Sequence, residues 1–169
     1  MLPRVALSTT IHIVGAALGL GLIWLLMGNE SSLSASIVQR MINDPNALQQ
    51  IREESRGHVW LWCIAAVAIS FVLSSVWIVL AERTSPLDES QARSQRGSWA
   101  GLFVLTVIAF AAVGYFQVVG SGLSAFVNAG SVAIGGIACL VITCAAFYLG
   151  AFFGVKRTMR PSVPFASSF

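Results

Sequence analysis

Residues 59–81 read VWLWCIAAVAISFVLSSVWIVLA, with no charged side chain and no proline. About 20 apolar residues in helical form match the roughly 30 Å hydrocarbon layer of a bilayer. In lipid each backbone N–H and C=O must be satisfied within its own segment, so an uninterrupted run of this kind is predicted to cross the membrane as a helix. Residues 5–27, 98–119 and 131–155 repeat the pattern, and all the Asp, Glu, Lys and Arg residues lie outside these four runs. An outer-membrane barrel would instead show alternation over strands of roughly ten residues. The chain 1–169 therefore reads as a single all-α integral membrane domain, with four transmembrane helices in two hairpins.

Composition agrees. The chain is 56% hydrophobic and 10% charged, whereas a soluble domain carries about a quarter charged residues. The net charge of +3 comes from basic residues scattered over the segment ends. Such a distribution makes no nucleic-acid face. Cys63, Cys139 and Cys144 all fall inside apolar runs, where free cysteine acts as a small hydrophobe. Disulfide-forming chemistry at a membrane face needs cysteine pairs in the outer loops, and this chain has none there.

Positive charge predicts orientation. Arg4, Arg83, Arg93, Arg96, Lys156, Arg157 and Arg160 belong to the N-terminus, the loop 82–97 and the tail 156–169. Only Arg40, Arg52 and Arg56 belong to the loop 28–58, and the loop 120–130 has none. Both termini are expected in the cytoplasm of a bacterial-type inner (plasma) membrane. Trp24, Trp60, Trp62, Tyr115 and Phe116 then fall near the outer boundary, with Trp77 and Trp99 near the inner one. The first run is too long for the roughly 7–15-residue core of a signal peptide, so it is expected to be retained as a span.

The outer loop 28–58 is predicted to hold two short amphipathic helices. Ile37, Val38, Met41 and Ile42 share one face of the first. Asp44 and Pro45 read as the cap and first residue of the second, with Ala47, Leu48 and Ile51 on one side. The first apolar face is the expected docking surface for a partner. The connector 82–97 and the outer loop 120–130 read as short links. The tail, with Pro161 and Pro164, reads as an extended or disordered end.

Within the spans, small and polar residues recur at helical spacing. Ser8, His12, Gly15 and Gly19 form one face of the first, and Cys63, Ala66, Ser70 and Ser74 one face of the second. Gly135, Cys139, Ala146, Gly150 and Gly154 form a drifting stripe along the fourth. Such seams let helix backbones approach closely. His12 stands out, because an ionisable side chain within a span is a functional candidate by default. The second histidine, His58, lies at the opposite boundary, roughly 20 Å away at 1.5 Å per residue, so the two cannot clamp one haem.

Metal-ligand spacing, a phosphate-cradling glycine loop and a nucleophilic triad are all missing from the sequence. No enzyme activity and no cofactor are therefore expected. The expected role is a non-catalytic structural or assembly subunit of a larger inner-membrane complex of respiratory, photosynthetic or secretion type. Its partners would be the lipid bilayer and other membrane subunits, with no nucleic acid. The alternatives are a self-associating small channel or transporter, and a cofactor-binding electron-transfer subunit.

Overall fold

Asp44 starts the longest helix. Its carboxylate accepts the Ala47 N–H at 3.1 Å, and Pro45 takes the first helical position, where no N–H is needed. In the computed structural model, which describes residues 2–26, 32–41, 43–84 and 88–165, this helix runs without a break from Pro45 to Arg83. The expected second loop helix is thus the first part of a membrane span. Between Pro45 and the span the only weak point is Gly57, which costs about 1 kcal/mol in a helix interior and does not stop it. At 1.5 Å per residue the helix is nearly twice as long as the hydrocarbon is thick, so its first turns stand clear of the bilayer.

The chain order is α1 (Leu2–Leu26), α2 (Ala35–Met41), α3 (Pro45–Arg83), α4 (Glu89–Ser94), α5 (Arg96–Tyr115) and α6 (Ala129–Gly154). A π-helical turn, Phe116–Gly120, continues α5, and a short 3-10 turn, Arg157–Ser162, follows α6. Four helices are long and apolar enough to span a membrane. Consecutive spans touch, α1 with α3 and α5 with α6, but these are not the largest contacts. The first and last spans form the most extensive interface, α3 touches all three other spans, and α5 leans mainly on α3.

Ion pairs and hydrogen bonds close both ends of the bundle. At one end Glu82 of α3 pairs with Arg4 of α1 and, at 3.1 Å, with Lys156 just beyond α6. Both described termini therefore lie on one face. At the other end the Ser34 N–H donates to the Phe126 carbonyl at 2.9 Å and the Asn128 N–H to that of Ser32 at 2.8 Å. These bonds flank the buried pair Leu33 and Val127, tying the α1–α2 connection to the α5–α6 connection.

Two expectations about the loops change. The connector 82–97 contains α4, capped by Asp88, which accepts the Gln91 N–H at 2.8 Å and the Ser90 hydroxyl at 2.7 Å. Those bonds hold the Asp88 carboxyl below its usual range. As far as Phe165 the tail is folded onto the bundle: Met159 and Val163 are fully buried with Ala92, Trp99 and Ala151. The Arg96 Nε–H donates to the Pro161 carbonyl at 3.0 Å, the Tyr148 hydroxyl to that of Pro164 at 2.7 Å, and Arg160 lies over Phe152. The two prolines fit because they sit in a turn rather than in a long helix.

Burying a charge without a partner is costly. Met159→Asp is therefore expected to destabilise the protein by several degrees in a detergent thermal melt, whereas the same change at exposed Thr158 should be neutral. Equal melting of the two variants would show that the tail adds nothing to the core.

Candidate functional site

His12 is the most unusual residue of the membrane interior. One helical turn earlier, the Ser8 carbonyl accepts from its Nδ1–H at 2.8 Å. That bond fixes the tautomer and leaves the lone pair on Nε2. Nε2 lies 3.2 Å from the Ser70 hydroxyl of α3, which is also 3.2 Å from the Thr143 carbonyl of α6. Ser70 has one proton for two acceptors, so at any moment it serves only one of them. The three-helix junction is thus joined through a single hydroxyl.

The surroundings are closed. Phe71 meets the imidazole edge-on at a centroid distance of 5.4 Å. A Cβ added at Gly150 would lie 2.6 Å from His12 Cε1 and 2.9 Å from Ser8 Oγ. Glycine at that position is what admits the ring, since α6 passes directly against it. A macrocycle ligated by His12 would have to push α6 away. The Oγ atoms of Ser8 and Thr143 are buried without a partner among the described residues, which marks the junction as a place of polar cost.

Ser70→Ala should test the junction. It leaves Nε2 without its donor and takes the second bond from the Thr143 carbonyl, which keeps its bond within α6, a loss of about 1–3 kcal/mol. Ser74→Ala removes only a bond within the same helix, to the Phe71 carbonyl, and is expected to be much milder. The idea would be sunk by equal melting temperatures for the two variants.

All thirteen residues of the small-residue seams are buried inside this bundle. Ser8, His12, Gly15 and Gly19 face α3 and α6. A Cβ on Gly19 would lie 2.5 Å from Cys63 Sγ, one on Gly15 would touch Ala146, and one on Gly154 would strike Ile78. Cys63 and Cys139 are free thiols in one cluster with Ala66. Ser74 lies on the buried side of α3, while Gly135, although buried, has open space where its Cβ would go.

The loop residues are placed differently from expectation. Ile37 is buried against Leu33 and Leu48, with Val38, Met41 and Ile51 packed around it. The face expected to receive a partner is already covered by the first turns of α3. Ile42 lies outside the described residues.

A second constellation escaped the sequence reading. Trp62 is gripped between Gly114 of α5 and Gly136 of α6, whose added Cβ atoms would come within 2.4 and 2.7 Å of the indole. Its N–H donates to the Phe110 carbonyl at 3.0 Å. The signal was present as two glycines in neighbouring spans, but glycine spacing does not reveal which bulky side chain it admits.

At the opposite end from the termini, His58 and Gln117 are joined at 3.0 Å. No three-residue His/Cys/Asp/Glu group able to hold a metal occurs among the described residues. Comparisons with protein-family models, with curated proteins and with solved structures found no match.

Proposed function

We propose that this chain is a non-catalytic subunit of a larger membrane assembly, with both termini cytoplasmic in a bacterial-type inner membrane. The observation that carries the reading is a groove of about 300 Å³ on the lipid-facing side of α1 and α6. Its walls include Val14, Leu18, Ile142 and Leu149, and small residues, Gly15, Ala145 and Ala146, line it between them. Small residues let a further helix backbone come close, which is how membrane helices associate without a hydrophobic driving force. With α2 already packed onto its own chain, this groove replaces the outer loop as the docking surface.

The orientation rests on the basic residues gathered at the face that carries both termini. The self-associating channel is the less supported reading, because His12, the polar residue such a pore would use, is enclosed between α1, α3 and α6. The enclosed ring likewise gives little support to an electron-transfer subunit.

Ala145→Leu fills the groove from an exposed position and leaves Gly15 and Ala146, the buried seam residues on its floor, unchanged. After mild-detergent purification it is expected to lose a partner that copurifies with the wild type, while the melting temperature stays unchanged. A ladder of homo-oligomers on cross-linking, insensitive to Ala145→Leu, would favour the channel instead.

A further inference from the structure

At the end of the bundle that carries both described termini, a second groove runs between α5 and α6 under the tail. Trp99, Phe103, Cys144, Tyr148, Pro164 and Phe165 line it, and its volume is about 520 Å³. Trp99 stacks on Phe103 at a centroid distance of 5.3 Å and meets Tyr148 edge-on at 6.0 Å. The bond from the Tyr148 hydroxyl to the Pro164 carbonyl holds the tail in place, so the walls are set before a ligand arrives. Phe103 and Cys144 each lie about one helical turn deeper in the bundle than Trp99 and Tyr148. The groove thus leads from the end of the bundle toward the hydrocarbon, and its apolar lining suits an acyl chain.

Charge at its mouth selects the lipid. The carboxylates described at this end are already engaged: Glu82 with Arg4 and Lys156, Glu89 with Arg93, and Asp88 with the cap of α4. Arg96 and Arg160 have no carboxylate partner among the described residues. Arg96 stands one turn before Trp99 on α5, and its Nε–H is held at 3.0 Å by the carbonyl of Pro161, the chain neighbour of Arg160. Arg160 lies 4.8 Å over the ring of Phe152, which stacks in turn on Tyr148. A guanidinium binds a phosphate through paired N–H bonds. We infer that this groove holds an anionic phospholipid, its phosphate on Arg96 and Arg160 and an acyl chain along Trp99, Phe103 and Tyr148. Basic pockets between membrane helices recognise anionic headgroups in this way. The inference is independent of the assembly role proposed above. Ala145 and Leu149 border both this groove and the one between α1 and α6, so the test leaves them untouched.

The test titrates the full-length chain in mild detergent with dioleoyl phosphatidylglycerol or dioleoyl phosphatidylcholine and counts bound lipid by native mass spectrometry. Phosphatidylglycerol is expected to bind about tenfold more tightly, the preference that two arginines around one anionic headgroup supply. Arg96→Gln and Arg160→Gln should each weaken it about fivefold. Cys144→Leu, which narrows the deep end of the groove and changes no charge, should weaken it too. Arg83→Gln removes an equal charge from the same end, but beside Val79 and Leu80 of α3, and should leave binding intact. Equal affinity of the wild type for the two lipids would overturn the proposal, and because that measurement stands alone, a variant that fails to fold does not protect the idea. A preference that survives in the double variant Arg96→Gln with Arg160→Gln would also overturn it, by placing the lipid elsewhere. Glycerol phosphate binding as tightly as the whole lipid would make this a free-anion site instead. Lipid binding that appears only when the chain is ended at Phe165 would assign the groove to the protein's own last residues.

Discussion

Trp62→Ala is expected to cost about 3–5 kcal/mol, the range for removing a buried aromatic side chain, and to be among the most damaging single substitutions in the chain. The indole fills the space between α3, α5 and α6, and two glycines have given up their side chains to admit it. Its removal leaves a cavity that the helices cannot close, because the Cβ atoms that would fill it are missing from both walls. The Phe110 carbonyl also loses the N–H that it accepts at 3.0 Å. Trp62→Phe separates the two contributions, since it keeps most of the volume and loses the donor. A loss of about 1–2 kcal/mol is expected for it, from the hydrogen bond and the smaller ring. The measurement is unfolding in mixed micelles, followed by tryptophan-independent circular dichroism. Similar stability for wild type and Trp62→Ala would mean that α5 is held by other contacts.

α5 should respond most to that loss. It packs lightly on α6 and leans chiefly on α3, and Trp62 is the residue of α3 that reaches its carbonyl. Trp62→Ala is therefore expected to loosen α5 before the junction of α1, α3 and α6. Hydrogen exchange that rises first within Arg96–Tyr115 would show this order.

The four spans could be read from residues 59–81 and their three counterparts, because a bilayer imposes a length and a polarity that no other environment requires. The polar junction was partly legible as well. Ser8, His12, Gly15 and Gly19 share one face by helical periodicity alone, and so do Cys63, Ala66, Ser70 and Ser74. What periodicity cannot supply is the partner of each face. His12 could be placed on a seam, but its bond to Ser70 depends on the relative height and rotation of two helices. The loop and the tail depend on contacts that periodicity does not reveal. Amphipathicity marks Ile37 and Leu48 as apolar faces, and α2 and the first turns of α3 pack those faces against each other. Met159 and Val163 gave a signal too weak to outweigh two prolines, although a short turn tolerates both.

Gly150→Ala and Gly135→Ala make the most discriminating pair on α6. Both positions are buried glycines on the same helix, so intrinsic helix propensity favours alanine by about 1 kcal/mol at each. At Gly135 nothing lies within 4 Å of the added methyl, so the propensity gain should appear undiminished. At Gly150 the methyl would sit 2.6 Å from His12 Cε1 and 2.9 Å from Ser8 Oγ. The imidazole cannot yield without breaking its bonds to the Ser8 carbonyl and to Ser70, so α6 must move away from α1. Overpacking of this kind typically costs about 1–3 kcal/mol, and the lost hydrogen bonds add to it. Gly150→Ala is thus expected to destabilise where Gly135→Ala stabilises. The double variant Gly150→Ala with His12→Ala should recover part of the loss, because the methyl then occupies space vacated by the ring. If Gly150→Ala melts as high as Gly135→Ala, the ring is free to move, and the junction does not fix the approach of α1 to α6.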